Sequence, residues 1–141
     1  MTEEKIERRQ CKRFVITGAT LHYREESFFR RSNFGRDCYP LIDISRGGLR
    51  FLSNDRIAVG RKVSVKIVQP DEEPLVMQGT VVWCGLHGGK SYRCEVGIQF
   101  VPYGEKENFN APESLQRISS WEERSARNSD NPKNMGSHRE Q

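Results

Sequence analysis

The chain has 141 residues, of which 35% are hydrophobic and 30% are charged, and its formal net charge is +4 at pH 7. This length suits one domain with a single core, which would bury roughly two thirds of the surface that the unfolded chain exposes. No apolar run approaches the roughly 20 residues needed to cross a bilayer, and the first residues lack the layout of a secretory signal. We therefore expect a cytoplasmic protein without membrane insertion.

Positive charge is concentrated near the N-terminus. Residues 1–13 carry five basic side chains and three acidic ones, and they include the sequence RRQCKR at positions 8–13. Its arginines, Arg8, Arg9 and Arg13, could grip phosphate oxygens in bidentate pairs or present the same fork to the O6 and N7 acceptors of guanine. We expect residues 1–13 to form a flexible arm with an anion site, although this spacing also occurs on ordinary charged helices.

Residues 14–109 show the period of β-strands. In 62–67, apolar residues alternate with polar ones, as in a strand with one buried face. The same reasoning predicts further strands at 15–23, 39–44, 49–52, 75–84 and 92–100. The connections are short, carry no helical pattern and include a glycine-rich hairpin loop at 85–91. Six such strands favour an all-β chain folded as an antiparallel β-barrel, since closure removes exposed strand edges.

A C-terminal α-helix is predicted over residues 110–124 and should pack on the barrel. Asn110 and Glu113 have the spacing of a capping box, in which two side chains satisfy the first backbone N–H groups of a helix. The helix would carry an apolar stripe of Leu115, Ile118 and Trp121. Residues 125–141 have almost no apolar side chains and are expected to be a disordered tail.

A second group of polar residues lies at the junction of two predicted strands, in the sequence DISRGG at positions 43–48. Asp43 offers acceptor oxygens to the N–H edge of a guanine or to an arginine, and Ser45 can both donate and accept. Gly47 and Gly48 permit a positive φ and a close approach of a planar base to the backbone. Asp, Ser and Gly are also common turn formers, so this motif alone fits an ordinary turn.

Together the two motifs resemble those of the PilZ domain family, in which R-x-x-x-R is followed some tens of residues later by D-x-S-x-x-G. Here 29 residues separate the two motifs. The strand ending in VVW at 81–83, the late strand VGIQF at 96–100 and the helix that follows are similar to the family as well. The likeness covers about residues 8–121, and a paired match in the right order is more specific than either motif alone.

The resemblance implies a six-stranded antiparallel barrel that binds the bacterial second messenger cyclic di-GMP, with no cofactor and no metal. The implied ligand-binding residues are Arg8, Arg9, Arg13, Asp43, Ser45 and Gly48. The arginines at 9 and 13 would contact phosphate and guanine, the aspartate and serine would read guanine, and the glycine would keep the strand turn open. The ligand would draw the arm onto the barrel and create a face for an unidentified downstream effector protein.

Other classes of function stay open. A basic OB-like barrel for single-stranded nucleic acid is favoured by the aromatic and basic residues of 28–36, because aromatic rings stack on bases while arginines follow phosphates. A protein interaction module without the ligand is a further alternative. An enzyme is not expected, because His22, His87 and His138 have no Cys, Asp or Glu at a recognisable catalytic or zinc spacing. The four cysteines form no C-x-x-C pair, which suits reduced thiols.

Overall fold

The computed structural model describes residues 12–26, 34–88 and 91–129, which form six β-strands and one α-helix. The strands are β1 (Thr20–Glu25), β2 (Tyr39–Ser45), β3 (Gly48–Ser53), β4 (Lys62–Val68), β5 (Leu75–Leu86) and β6 (Cys94–Phe100). The helix, α1, is Pro112–Ser129. The predicted fold class, a mainly β chain with one C-terminal helix, is confirmed.

The strands close into a barrel in the order β1-β2-β3-β6-β5-β4, and every neighbouring pair is antiparallel. Closure gives each of the six strands a partner on both sides, which satisfies backbone groups that an open sheet would expose. Inward-facing apolar residues from all strands fill the interior. Fully buried members of this core include Leu21, Phe51, Val65, Met77, Val81 and Val96.

Helix α1 covers the end of the barrel that carries the β2–β3 turn and the β4–β5 hairpin. Ile118 and Trp121 are buried in the core and Leu115 is partly buried against it, which confirms the predicted apolar stripe. The exposed side of the helix is held by Glu72 of the β4–β5 hairpin, which pairs with Arg117 at 3.4 Å and with Arg124 at 3.1 Å. No helix within the described ranges has the length and apolar character that a membrane span requires.

The bounds of the helix differ from the prediction at both ends. α1 begins at Pro112 and continues to Ser129, so residues 125–129 are helical rather than disordered. Arginine and alanine are good helix formers, and a basic residue in the last turn, Arg127, suits the negative end of the helix dipole. Residues 130–141 lie outside the described residues.

The capping box predicted at Asn110 is wrong. Its side-chain oxygen accepts a hydrogen bond from the backbone N–H of Gln78 at 2.9 Å. Its Nδ2 donates to the carbonyl of Gln78 at 3.0 Å and to that of Val101 at 3.1 Å. Asn110 therefore ties the chain before the helix to strand β5, and it does not serve the helix N-terminus.

The first strand was predicted over 15–23, but β1 begins at Thr20. Gly18 has a φ of 80°, a left-handed conformation that bends the chain just before the strand. Upstream of this bend, Phe14 forms an isolated antiparallel bridge with Ile44 of β2. The region predicted as one strand therefore contains a turn at Gly18 and the first part of β1, and it is preceded by the bridge at Phe14.

Candidate functional site

Arg13 reaches the outer wall of the barrel because the residue after it is fixed to β2. The backbone N–H of Phe14 donates to the carbonyl of Ile44 at 2.9 Å, and the N–H of Ile44 donates back to Phe14 at 3.0 Å. The ring of Phe14 is buried in the core. In an antiparallel bridge of this register Arg13 runs alongside Ser45, from where its guanidinium contacts Asp43.

The carboxylate of Asp43 is shared by two arginines. Arg13 Nη1 donates to Oδ1 at 3.1 Å, while Arg50 Nε and Nη2 donate to Oδ1 and Oδ2 at 3.1 and 2.5 Å. Burial would raise the pKa of Asp43, but the hydrogen bonds and positive charges of Arg50 and then Arg13 outweigh it and hold this pKa below its ordinary value of 3.8. Asp43 is therefore an ionised acceptor at neutral pH. Its side chain is 11% exposed, whereas those of Arg13 and Arg50 are 46% and 37% exposed, so both guanidinium groups are open to solvent.

A β-bulge directs Asp43 to the outer wall. The pairing of β2 with β3 shifts within the segment 41–43, so that Leu41 faces Phe51 whereas Asp43 faces Arg50. Leu41 and Ile44 are both buried in the core although they are three residues apart, which breaks the strict alternation of a strand. Bulges re-aim side chains in this way and are common beside functional sites.

Arg50 is a residue of this site that the sequence reasoning missed. Its Nη1 donates to Glu95 Oε2 on β6 at 2.7 Å, in addition to its two bonds to Asp43. Arg13, Asp43, Arg50 and Glu95 thus form a row of alternating charge across the outer wall of β2, β3 and β6. A signal was present in the sequence, because a two-residue turn after Ser45 pairs Asp43 with Arg50.

The hydroxyl of Ser45 shapes the β2–β3 turn. Its Oγ accepts a hydrogen bond from the N–H of Gly47 at 3.1 Å and donates to the carbonyl of Gly48 at 3.5 Å. Gly47 and Gly48 do not use the positive φ that glycine permits, since the left-handed glycines among the described residues are Gly18 and Gly60. The serine hydroxyl, rather than a left-handed glycine, accounts for the form of this turn.

Gly48 is needed for a close approach between two strands. A Cβ on Gly48 would overlap the carbonyl oxygen of Ile98 on β6 and would lie 3.3 Å from the Cα of Gln99. The close backbone contact expected at this glycine is therefore made by β6. It fixes β3 against β6, and so fixes the two strands that carry Arg50 and Glu95.

Trp83 continues the same outer wall on β5. Its side chain is 46% exposed. In the strand pairing, Gly97 of β6 faces Arg50 on one side and Trp83 on the other. A Cβ on Gly97 would lie 3.5 Å from the Cβ of Trp83, and a Cβ on Gly85 would lie 2.8 Å from its indole ring. An exposed aromatic ring is thus separated from the charged row by a glycine, and the sequence reasoning had used Trp83 only as part of VVW.

Arg46 connects the DISRGG turn to α1. Its Nε lies 3.4 Å from Glu122 Oε1, yet this atom is buried and makes no hydrogen bond. Its carbonyl accepts a hydrogen bond of 2.6 Å from the hydroxyl of the buried Tyr103. The turn is therefore in contact with the candidate site on one side and with the C-terminal helix on the other.

The structure brings together four of the six predicted ligand-binding residues: Arg13, Asp43, Ser45 and Gly48. Arg8 and Arg9 lie outside the described residues. Among the residues that are described, no group of three or more His, Cys, Asp or Glu side chains could hold a metal ion. The arrangement is suited to bind a ligand that carries both anionic oxygens and N–H donors.

Most of the aromatic and basic segment 28–36 also lies outside the described residues. Within its described part, the ring of Phe34 has the guanidinium carbon of Arg24 at 4.5 Å and the ammonium of Lys66 at 5.5 Å from its centroid. These cations belong to β1 and β4, the wall opposite the charged row. The ring of Phe34 is therefore in contact with cations of the barrel itself.

A model of the PilZ domain family matches residues 7–118, a range that includes both motifs and the whole barrel. No match was found among curated proteins. Among solved structures, the inhibitor of motility (MotI/DgrA) from Bacillus subtilis has a similar fold, with a TM-score of 0.62 and 18% sequence identity. The match covers 91% of this chain and 56% of that one, so this chain spans little more than half the length of its structural neighbour.

Proposed function

Because the chain belongs to the PilZ domain family, a family of receptor domains for cyclic di-GMP, we propose that it binds this second messenger on the outer wall of its barrel. One observation carries the proposal: Arg13 of the first motif is bonded to Asp43 of the second. Two motifs separated by 29 residues of sequence meet in one ion pair, with the hydroxyl of Ser45 beside them.

The chemistry of the ligand suits these groups. Cyclic di-GMP carries two phosphates and two guanines. Arg13 would leave Asp43 for a phosphate or for the O6 and N7 edge of a guanine, since guanidinium bonds both in bidentate form. Arg8 and Arg9 would act in the same way. Asp43 would then accept from the N–H edge of a guanine, with Ser45 donating or accepting next to it.

Two further residues of the wall support the proposal. Gly48 would contribute indirectly, because the approach of β3 to β6 that it permits keeps the charged row in register. Trp83 would offer its ring to a guanine, and stacking of a base on an aromatic side chain stabilises a complex by roughly 1–3 kcal/mol. Neither residue needs to move for this, because both belong to strands of the closed barrel.

Arg8 would favour a stacked pair of ligand molecules over a single one, because it adds a further guanidinium beside Arg9. Titration calorimetry measures this directly as the number of ligands bound per chain. We expect two. A value of one would count against this part of the proposal.

Binding would act as a switch without a chemical step. The dianionic ligand would pull Arg8 and Arg9 onto the barrel, where Arg13 already lies beside Asp43, and shift the population toward an ordered face that an effector protein recognises. Hydrogen exchange of residues 5–14 should slow when ligand is added. Identical exchange with and without ligand would contradict the switch while leaving binding intact.

PilZ domains are generally receptor domains rather than enzymes.

The compartment proposed for this receptor is the cytoplasm. Cys38, Cys84 and Cys94 are free thiols. Free thiols fit a reducing compartment.

Titration calorimetry with cyclic di-GMP on matched variants tests the proposal. Arg9→Ala, Arg13→Ala and Asp43→Ala should each weaken binding by about 1–3 kcal/mol, or roughly 5- to 150-fold. Arg61→Ala is the control, since Arg61 pairs with Glu25 at 3.2 Å next to β4, on the opposite wall. Equal affinities for all four variants and wild type would overturn the assignment of the site.

Binding assays on the wild-type protein distinguish this receptor from the two alternative functions. A salt-dependent gel shift with generic single-stranded RNA or DNA would favour the nucleic-acid barrel, because phosphate contacts release counterions. Folded protein that binds neither nucleic acid nor cyclic di-GMP would favour the interaction module. We expect calorimetric binding of cyclic di-GMP and no shift.

A further inference from the structure

One face of the Trp83 ring lies on the backbone of its own strand. A Cβ on Gly85 would come within 2.8 Å of Cζ2, 3.2 Å of Cη2 and 3.4 Å of Cε2 of the indole. Three neighbouring ring atoms at such similar distances place Gly85 against a face of the ring and not beyond its edge. Because Trp83 is one of the exposed large hydrophobic residues, the opposite face is open to solvent. The ring is therefore a platform on which a planar base can stack.

Glu95 borders this platform. It is the cross-strand partner of Gly85 in the pairing of β5 with β6, so its side chain leaves the barrel on the same outer face. Side chains of directly opposed residues start about 4.5–5.5 Å apart, and the glycine places no side chain of its own between Glu95 and the ring. The carboxylate of Glu95 therefore lies beside the part of the indole that covers Gly85.

The carboxylate of Glu95 has acceptor capacity that the barrel does not use. Its Oε2 accepts a hydrogen bond from Arg50 Nη1 at 2.7 Å, and no other residue in the described part of the chain donates to it. A carboxylate offers about four acceptor directions. Asp43, in contrast, accepts three hydrogen bonds, and the fork from Arg50 occupies a direction on each of its oxygens. Glu95 is 18% exposed, so a ligand can reach its Oε1.

We propose that Glu95 reads a guanine of the ligand: the base stacks on the open face of Trp83 and donates its N1–H to Glu95 Oε1. This inference rests on the proposed function and adds a specificity-determining residue that belongs to neither motif. Cyclic di-GMP has two guanines, so Asp43 and Glu95 need not compete for one base. The contact favours guanine over adenine, because adenine has a lone pair at N1, and a carboxylate repels that lone pair.

Calorimetry with cyclic di-GMP and cyclic di-AMP tests this role, and the measured quantity is the ratio of their dissociation constants. Glu95→Gln keeps the size of the side chain but supplies an amide N–H that can donate to adenine N1. It should lower the preference for cyclic di-GMP by roughly 5-fold or more, as expected for one good base contact. Glu95→Ala removes the acceptor without supplying a donor, so its ratio should lie between those of wild type and Glu95→Gln. Glu25→Gln, on β1 in the opposite wall, is the matched control and should leave the ratio unchanged.

A double-mutant cycle tests whether the same base is both stacked and read. Trp83→Leu should weaken the binding of cyclic di-GMP and lower the ratio, because a base without its platform is no longer held beside Glu95. Adding Glu95→Gln to Trp83→Leu should then change the ratio far less than Glu95→Gln does alone, since residues that act on one group are coupled. Equal changes in the two backgrounds would show that Glu95 acts independently of Trp83 and would overturn the shared site.

The outcomes separate the inference from the function beneath it. A ratio that neither Glu95→Gln nor Glu95→Ala changes overturns the inference alone. An equal loss of affinity for the two ligands also overturns it, because Glu95 would then act only through its bond to Arg50. If Glu95→Gln fails to fold, Glu95→Ala decides the matter. Absent binding of cyclic di-GMP by wild type overturns the proposed function, and the inference with it.

Discussion

Phe14 and Ile44 exchange two backbone hydrogen bonds, of 2.9 and 3.0 Å, and so join the segment after the arm to the middle of the barrel wall. Each partner is the direct neighbour of a charged site residue, Arg13 in one case and Asp43 in the other. The ion pair between the two motifs is solvent-exposed on the arginine side, and exposed pairs stabilise a protein by at most about 1 kcal/mol. The backbone bridge and the buried ring therefore do more than the ion pair to hold the motifs together.

Removing the ring of Phe14 should affect both stability and binding. Phe14→Ala deletes a buried side chain, which typically lowers the free energy of unfolding by about 3–5 kcal/mol, and it frees Arg13 from its position beside Asp43. Urea unfolding and calorimetry measure the two effects. Val15→Ala is the control, because Val15 is 63% exposed and its loss should change stability by no more than about 0.5 kcal/mol. Equal behaviour of the two variants would show that the ring is not an anchor.

Gly48→Ala should destabilise the barrel even without ligand. The new methyl group would meet the carbonyl of Ile98, a backbone atom that cannot move away as a side chain could. Overpacking of this kind costs typically about 1–3 kcal/mol in urea unfolding. Gly88→Ala is the control, since a Cβ on Gly88 would meet no atom within 4 Å. A Gly48→Ala variant with wild-type stability and weaker ligand binding would instead assign Gly48 a direct contact with the ligand.

The contribution of Asp43 to stability should be lost only in acid. Burial would raise the pKa of Asp43, but Arg50 and Arg13 outweigh it and lower this pKa from 3.8 in the folded protein. A pKa lowered by folding stabilises the protein above the unfolded value, and that stabilisation is lost as the pH falls through the folded pKa. The difference in free energy of unfolding between wild type and Asp43→Asn should be constant from pH 7 to about 5 and shrink below about pH 4.

Urea unfolding at several pH values measures this difference. Glu72, whose pKa is also lowered, chiefly by its hydrogen bond to Arg124, is present in both proteins and cancels. A difference that already shrinks between pH 7 and pH 5 would contradict a lowered pKa for Asp43.

Asn110 offers a test between two roles. As a helix cap, Asn110 could be replaced by Asp with little loss, because Asp is an equally good cap. As the link to β5, Asn110 cannot be replaced by Asp without loss, because Asp lacks the two N–H donors that reach the carbonyls of Gln78 and Val101. We expect Asn110→Asp to lower the free energy of unfolding by about 1–3 kcal/mol, close to the effect of Asn110→Ala. If Asn110→Asp unfolds at the same midpoint temperature as wild type, the capping role of Asn110 is supported and the role as a link to β5 is contradicted.

Much of the fold followed from patterns local in sequence. Alternation placed the strands within a few residues, because each inward position must be apolar once one face of the strand is buried. The spacing of Ile118 and Trp121 identified the buried face of α1 in the same way. The errors lie at element ends, where Gly18 bends the chain before β1 and Arg127 suits the extended end of α1.

The missed parts of the site depend on neighbours across strands. Arg50 reads as an ordinary outward-facing strand residue, and its partnership with Asp43 appears only once the β2–β3 register is known. The bulge at 41–43 shifts the pairing only beyond Asp43, so this register follows from the length of the turn after Ser45 and not from the alternation along β2. The bridge of Phe14 to Ile44 joins residues 30 positions apart, a pairing that no local pattern encodes. Tertiary contacts decided these features, as they often do for residues that carry function.

The two-residue turn between β2 and β3 is reached from both ends of the described chain. Arg13 lies beside the residues that precede it, and Glu122 meets Arg46 within it at 3.4 Å. Residues from near both ends of the described chain thus contact one tight turn. If the proposed ligand displaces Arg13, the displacement has to alter only this turn, and not the length of the barrel, to change the contacts of α1.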